Sequence, residues 1–218
     1  MIYDIFIKND AWLTILKGLI MTLEISLLAI IFGTILGAII CFCRMSHLKI
    51  LAIPAQIYIS IVRGSPVLML LMLLFYGVFA GSGLSPLFVA SLTFTLHTAA
   101  YVAELLRSSI MATDKKQVEA ARALGFSKIQ AFKLITFPQM TKIAKPVYQS
   151  TIVNLIQWTS VVGYVTITDL TRVINNIASR TMQPMITICG GLIIYLAISY
   201  LTYGIFYLTD KKRIGTRN

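Results

Sequence analysis

The sequence predicts an all-α membrane protein that crosses the bilayer five times as a single domain spanning residues 1–218. Three observations predict it. The chain is 57% hydrophobic and only 12% charged, where an ordinary soluble domain carries about 25% charged residues. Five apolar stretches reach the length of about 20 residues that a helix needs to cross a bilayer core; they fall at about 12–43, 52–79, 86–112, 141–166 and 184–209. The charge is concentrated in the connections, so the net +11 reads as membrane orientation rather than nucleic-acid binding.

The first stretch opens with Trp12, an interfacial anchor, and carries Glu24 about 12 residues in, a depth that predicts a midplane charge. Gly33 and Gly37 form a small-xxx-small pair that lets membrane helices approach closely. Cys41, Cys43 and Cys189 lie in apolar runs without CxxC spacing and are expected as buried free thiols. The second stretch is interrupted by Arg63-Gly64-Ser65-Pro66, where the proline disfavours helical geometry at Ser65 and predicts a kink or break. In the third, Glu104 and Arg107 share a helix face near its end and predict an ion pair. His97 reads as a hydrogen-bonded core residue.

Lys and Arg distribution sets the orientation. Arg44, Lys49, Lys115, Lys116, Arg122, Lys128, Lys133, Lys142 and Lys145 flank two connections, and Lys211, Lys212, Arg213 and Arg217 crowd the tail. The opposite connections carry only Arg172 and Arg180, with Lys8 and Lys17 at the N-terminal end. The N-terminus is therefore expected outside and the C-terminus in the cytoplasm. No cleavable leader is expected, since the first apolar run is too long for a signal h-region.

The long basic connection, residues 114–138, is more than a linker. Asp114 and Gln117 suit a helix N-terminus, with Val118, Ala121 and Leu124 as an apolar stripe and Gly125 as a left-handed C-cap. Ser127 and Gln130 form a second capping box, opening a helix with Ile129, Phe132 and Leu134 on its apolar face. Taken alone, such a hairpin also suits a position on the lipid headgroups.

Within this loop, Glu119-Ala120-Ala121, Gly125, Ile135 and Pro138 match the spacing of the EAA signature; Phe137 replaces its usual leucine. The chain thus resembles the permeases of bacterial ATP-binding-cassette importers. The segments GLIMTLEISLLAIIFGTILGAII, IVRGSPVLMLLMLLFYG, AAYVAELLRSSI and IASRTMQP extend the resemblance to permeases for polar amino acids (histidine, glutamine or arginine type). The resemblance implies a type I importer permease fold in the bacterial inner membrane. It also implies that residues 114–138 couple to a cytoplasmic ATPase dimer. The further partners implied are a second permease chain, identical or similar, an extracytoplasmic amino-acid-binding protein and the surrounding lipid. One segment departs from the family: Gln157-Trp158-Thr159-Ser160 stands where relatives carry a Lys- and Asp-containing run before Thr-Ser.

Ionisable and polar groups at membrane depth mark the candidate pathway: Glu24, Arg63, Gln157, Thr159 and Ser160. Glu24 and Arg63 are expected either to pair or to hold the ammonium and carboxylate of an amino acid; Gln157, Thr159 and Ser160 either satisfy one another or line a wet path. No GxxxxGK[ST] phosphate loop, catalytic constellation or metal motif is present. The chain reads as a transport subunit without cofactor, not an enzyme. The competing class is an ATP-independent secondary transporter or channel, which has no use for an EAA loop.

Overall fold

The computed structural model describes residues 10–215, with side chains to Thr209. Lys8 and Arg217 lie outside the described residues, as do the side chains of Lys211, Lys212 and Arg213. Helix α1 (Ala11–Arg44) is 34 residues long. α2 (Lys49–Gly64) and α3 (Val67–Met72, continued by a π-helical turn to Val78) follow. α4 (Pro86–Met111) leads to the short α5 (Lys115–Ala123) and α6 (Lys128–Ala131). α6 runs through a π-helical turn, Phe132–Thr136, into α7 (Phe137–Trp158), which tightens to a 3-10 turn over Thr159–Val165. α8 (Leu170–Thr181) and α9 (Pro184–Gly215) complete the chain.

α1 and α4 are the central pair, and the Gly33/Gly37 spacing sets their contact. A Cβ at Gly33 would lie 2.7 Å from the Thr98 side chain, and one at Gly37 would lie 2.7 Å from Val102 and 2.8 Å from the Ala99 carbonyl. The two backbones touch because neither glycine has a side chain. Ile25, Ala29, Phe94, Leu155 and Val162 fill the core beside this seam with Leu71 of α3.

The second apolar stretch is not one helix. Ser65 is extended (φ −104°, ψ 140°) ahead of Pro66, its hydroxyl donates back to the Ile61 carbonyl at 2.8 Å, and the axes on either side diverge by 110°. The expected interruption is therefore a full break. α1, α4 and α9 to Thr209 are each long and apolar enough to cross a membrane, and the bent α2–α3 pair makes a fourth candidate. α7, expected as a span from about 141, begins at Phe137 and has 22 residues. It is long enough at about 33 Å but carries Lys142, Lys145, Gln149, Asn154 and Gln157.

Residues 167–183, which read as a plain connection, contain the amphipathic α8. Its buried Leu170, Val173, Ile174, Ile177 and Ala178 repeat at helical spacing. Asp169, fully buried, caps it by accepting from the backbone N–H groups of Thr171 and Arg172 at 3.0 and 3.1 Å. Burial pushes this carboxyl above its usual range, opposed by those same amides. Thr22 of α1 accepts from the Leu170 N–H at 3.2 Å, and Gly18 leaves room for Val173, so α8 seats on the first turns of α1. Of the three thiols, all free, Cys41 is buried as expected, but Cys43 is half-buried and Cys189 exposed. Cys189 sits on α9, whose outward face also exposes Leu192, Ile193 and Leu201.

Candidate functional site

Two regions carry chemistry: the loop that projects from α4, and the cavities beside α7. In the loop, Asp114 caps α5 by accepting from the Lys116 N–H at 3.0 Å. Gln117 does not close the expected box. Gln139, at the base of α7, takes its place, accepting from the Asp114 N–H at 3.2 Å and donating to Gln117 at 2.8 Å. That contact ties the loop back to the membrane helix.

Gly125 has φ +89°, the left-handed C-cap expected of it. Its N–H donates to the Arg122 carbonyl and the Phe126 N–H to the Ala121 carbonyl, both at 3.1 Å, a Schellman ending. The Arg122 guanidinium closes the turn on the Phe126 carbonyl at 2.6 Å. The second capping box forms as expected: the Ser127 N–H donates to the Gln130 side chain at 2.7 Å, and the Gln130 N–H to the Ser127 hydroxyl at 3.2 Å.

The stripes differ from expectation. Ala121 and Ala131 are the buried residues, while Leu124 (80%), Ile129 (68%) and Leu134 (62%) are exposed. Glu119 and Ala120 also face outward. α5 and α6 are too short to bury a full face, so the loop presents its large apolar groups at its tip. Ile135 sits half-buried in the π turn that precedes Pro138. Proline has no N–H to close the ordinary helical bond, and the chain widens instead, with the Phe137 N–H reaching the Phe132 carbonyl.

The midplane charges do not meet. Thr98 lies near the middle of α4 and packs against Gly33 of α1. Glu24 is nine residues before Gly33, about 14 Å toward the α8 end at 1.5 Å per residue. Arg63 lies on the other side of centre, its guanidinium carbon 5.3 Å from the Tyr101 ring centroid. Both side chains are exposed within this chain. Among the described residues no ion pair joins Glu24 to Arg63.

Arg63 instead borders a cavity of about 340 Å³ with Tyr101, Glu104 and Ser108 on one wall and Val147 and Thr151 of α7 on another. Glu104 is already engaged. Arg107 grips it through two nitrogens at 2.6 and 3.1 Å, the expected pair, and Arg44 approaches at 3.7 Å. Tyr101, on the cavity wall, also belongs to a three-ring cluster with His97 and Trp158, centroids 4.8 to 5.3 Å apart. His97 is buried, as expected for the core, but its Nδ1 has no hydrogen-bond partner among the described residues. Spacing shows only the His97–Tyr101 pair, four apart on α4; Trp158 joins it from α7.

Gln157 and Ser160 line a second cavity, about 450 Å³, against Thr171, Asn175 and Tyr195, with no charged side chain on its wall. Thr159 does not join them. It is fully buried and donates to the Ile156 carbonyl at 2.7 Å. Among the described residues no cluster of His, Cys, Asp and Glu suited to a metal is present.

Residues 29–215 of this helical bundle match the family described as binding-protein-dependent transport system inner membrane component. The chain belongs to that family of inner-membrane transport subunits, which are not enzymes. Its relatives are amino-acid permeases of ATP-binding-cassette transporters. It is 33% identical over 97% of its length to the probable amino-acid ABC transporter permease YckA of Bacillus subtilis, covering 94% of that protein. It is 28% identical to the histidine/lysine/arginine/ornithine permease HisM of Salmonella typhimurium, with 89% of this chain and 88% of that one covered. Among solved structures, an amino acid ABC transporter crystallised with histidines superposes with a TM-score of 0.84 at 28% identity, over 91% of this chain and 94% of that one. The inward-facing MetNI methionine transporter shares the fold, with a TM-score of 0.78 at 17% identity over 94% and 99% of the two chains.

Proposed function

We propose that this chain translocates a polar amino acid into the cytoplasm as one half of a paired permease, driven by a separate ATPase. The observation that carries the reading is the 114–138 loop, with Glu119 and Ala120 exposed beside a Gly125-closed turn. An exposed tip of Leu124 and Ile129 suits insertion into a cleft of a partner better than water. Glu119, Ala120, Ala121 and Gly125 form the docking element, and Ile135 and Pro138 fix its exit into α7. The pathway runs beside α7, with Arg63 as the carboxylate anchor in one cavity and Gln157 and Ser160 as polar contacts in the other. An extracytoplasmic binding protein delivers the substrate, and a second permease chain covers the open face of the bundle. Five crossings follow if the bent α2–α3 pair and α7 each count as one, with the N-terminus outside.

Topology tests the direction of this assignment. In a background lacking Cys41, Cys43 and Cys189, Ser82→Cys is expected to react with an impermeant thiol reagent added outside intact cells. Ser127→Cys is expected to react only after permeabilisation. Both side chains are exposed, so the readout reports sidedness and not burial. The reverse pattern would place the loop where no ATPase can reach it.

A further inference from the structure

A third cavity, about 590 Å³, opens at the root of the 114–138 loop. α1 ends there at Arg44 and α4 at Met111, and both helices are long and apolar enough to cross a membrane. Where a spanning helix ends, the chain meets the headgroup layer. Three cations from three helices line the cavity: Arg44 of α1, Arg107 of α4 and Lys115 of α5. Two carboxylates stand against them, Glu119 on the same wall and Glu104 beside Arg107. Arg107 is committed, with two nitrogens on Glu104 at 2.6 and 3.1 Å and the third against the Met111 sulfur at 2.7 Å. Arg44 is not. It stands 3.7 Å from Glu104, beyond hydrogen-bonding distance, and Lys115 makes no ion pair among the described residues. The donors of these two side chains are spare, and the cavity carries one cation more than it has carboxylates.

The rest of the wall is apolar. Met45 and Met111, both exposed, flank the cations. A site that joins spare guanidinium donors to exposed apolar side chains at the membrane boundary matches the two ends of a phospholipid. Free phosphate would satisfy the cations and leave the methionines in water.

We propose that this cavity binds the phosphate of an anionic phospholipid between Arg44 and Lys115, with the acyl chains leaving past Met45 and Met111. Arg107, fixed by Glu104, adds positive charge behind the phosphate without giving up its own pair. Because Arg44 ends α1 and Lys115 opens α5, the bound headgroup braces the loop against the bundle. The inference needs no assumption about what the chain transports. It rests on the proposed orientation only for the leaflet, which is the cytoplasmic one.

The test uses the complex of the chain with its ATPase in phosphatidylcholine nanodiscs. Trace phosphatidylglycerol or phosphatidylcholine is added with a photoactivatable diazirine on the acyl chain near the glycerol, and cross-links are mapped to peptides. The phosphatidylglycerol probe is expected to label the peptides holding Met45 and Met111 about tenfold more than the phosphatidylcholine probe. Arg44→Gln with Lys115→Gln leaves the Glu104–Arg107 pair in place and should erase that preference. Lys128→Gln with Lys133→Gln removes the same charge elsewhere on the loop and should keep it. Equal labelling by the two probes in the unaltered chain would overturn the site, and this comparison needs no variant to assemble. A preference that survives the first double variant, or falls equally in the second, would also overturn it. Excess inorganic phosphate, set against chloride at equal ionic strength, should leave the labelling unchanged; its loss would give the cavity to free phosphate and overturn the lipid.

Discussion

Gly125→Val is expected to abolish uptake while the protein still reaches the membrane in normal amount. Gly125 holds φ +89°, and a β-branched residue is strained there by about 1–3 kcal/mol. No atom lies within 4 Å of a Cβ built at this position, so the effect is conformational and not a clash. The strain is relieved by unwinding the Schellman turn, which re-aims Leu124 and Phe126 and separates α5 from α6. The transmembrane core, far from the loop, is untouched. Immunoblotting of membranes next to uptake checks the result: unchanged abundance with at least a tenfold loss of transport. Normal transport by this variant would remove the loop from the coupling path.

Arg63→Gln is expected to reduce uptake per assembled complex by tenfold to a hundredfold, the equivalent of about 1.4–2.8 kcal/mol, in line with loss of a charge-assisted hydrogen bond. The side chain makes no ion pair among the described residues, so its removal leaves no buried partner charge stranded. Membrane abundance should therefore hold, in contrast to the loss expected when a buried pair is broken. Glu24→Gln serves as the contrast and should leave uptake within about twofold, since Glu24 is far from the cavity at 1.5 Å per residue along α1. Equal losses in the two variants would place Glu24 in the pathway beside Arg63.

Much of this architecture was legible because local chemistry dictates it. The Pro66 break, the Gly125 cap, the Ser127–Gln130 box, the Glu104–Arg107 pair and the EAA spacing each depend on residues close in sequence. What escaped depends on which helices become neighbours. That Glu24 and Arg63 form no ion pair among the described residues depends on how α1 packs against α4, which sequence spacing does not show. Thr159 read as a pathway residue by proximity to Gln157 and Ser160, yet the tightening to 3-10 geometry turns it inward. Gln117 lost its cap role to Gln139, 22 residues away. α8 did leave a signal, an Asp169 cap before apolar residues at helical spacing, that could have been read.

The central claim is that transport by this chain is driven by ATP hydrolysed in another subunit. The most direct measurement is uptake of labelled L-glutamine, L-histidine and L-arginine by membrane vesicles containing the complex and its binding protein. Ionophores collapse the proton and sodium gradients, and ATP is supplied or withheld on the loop side. Under the proposed function, uptake is expected to need ATP, to persist without either gradient and to disappear in Gly125→Val. Uptake that follows an ion gradient and ignores ATP would contradict it, and would make the chain a secondary transporter.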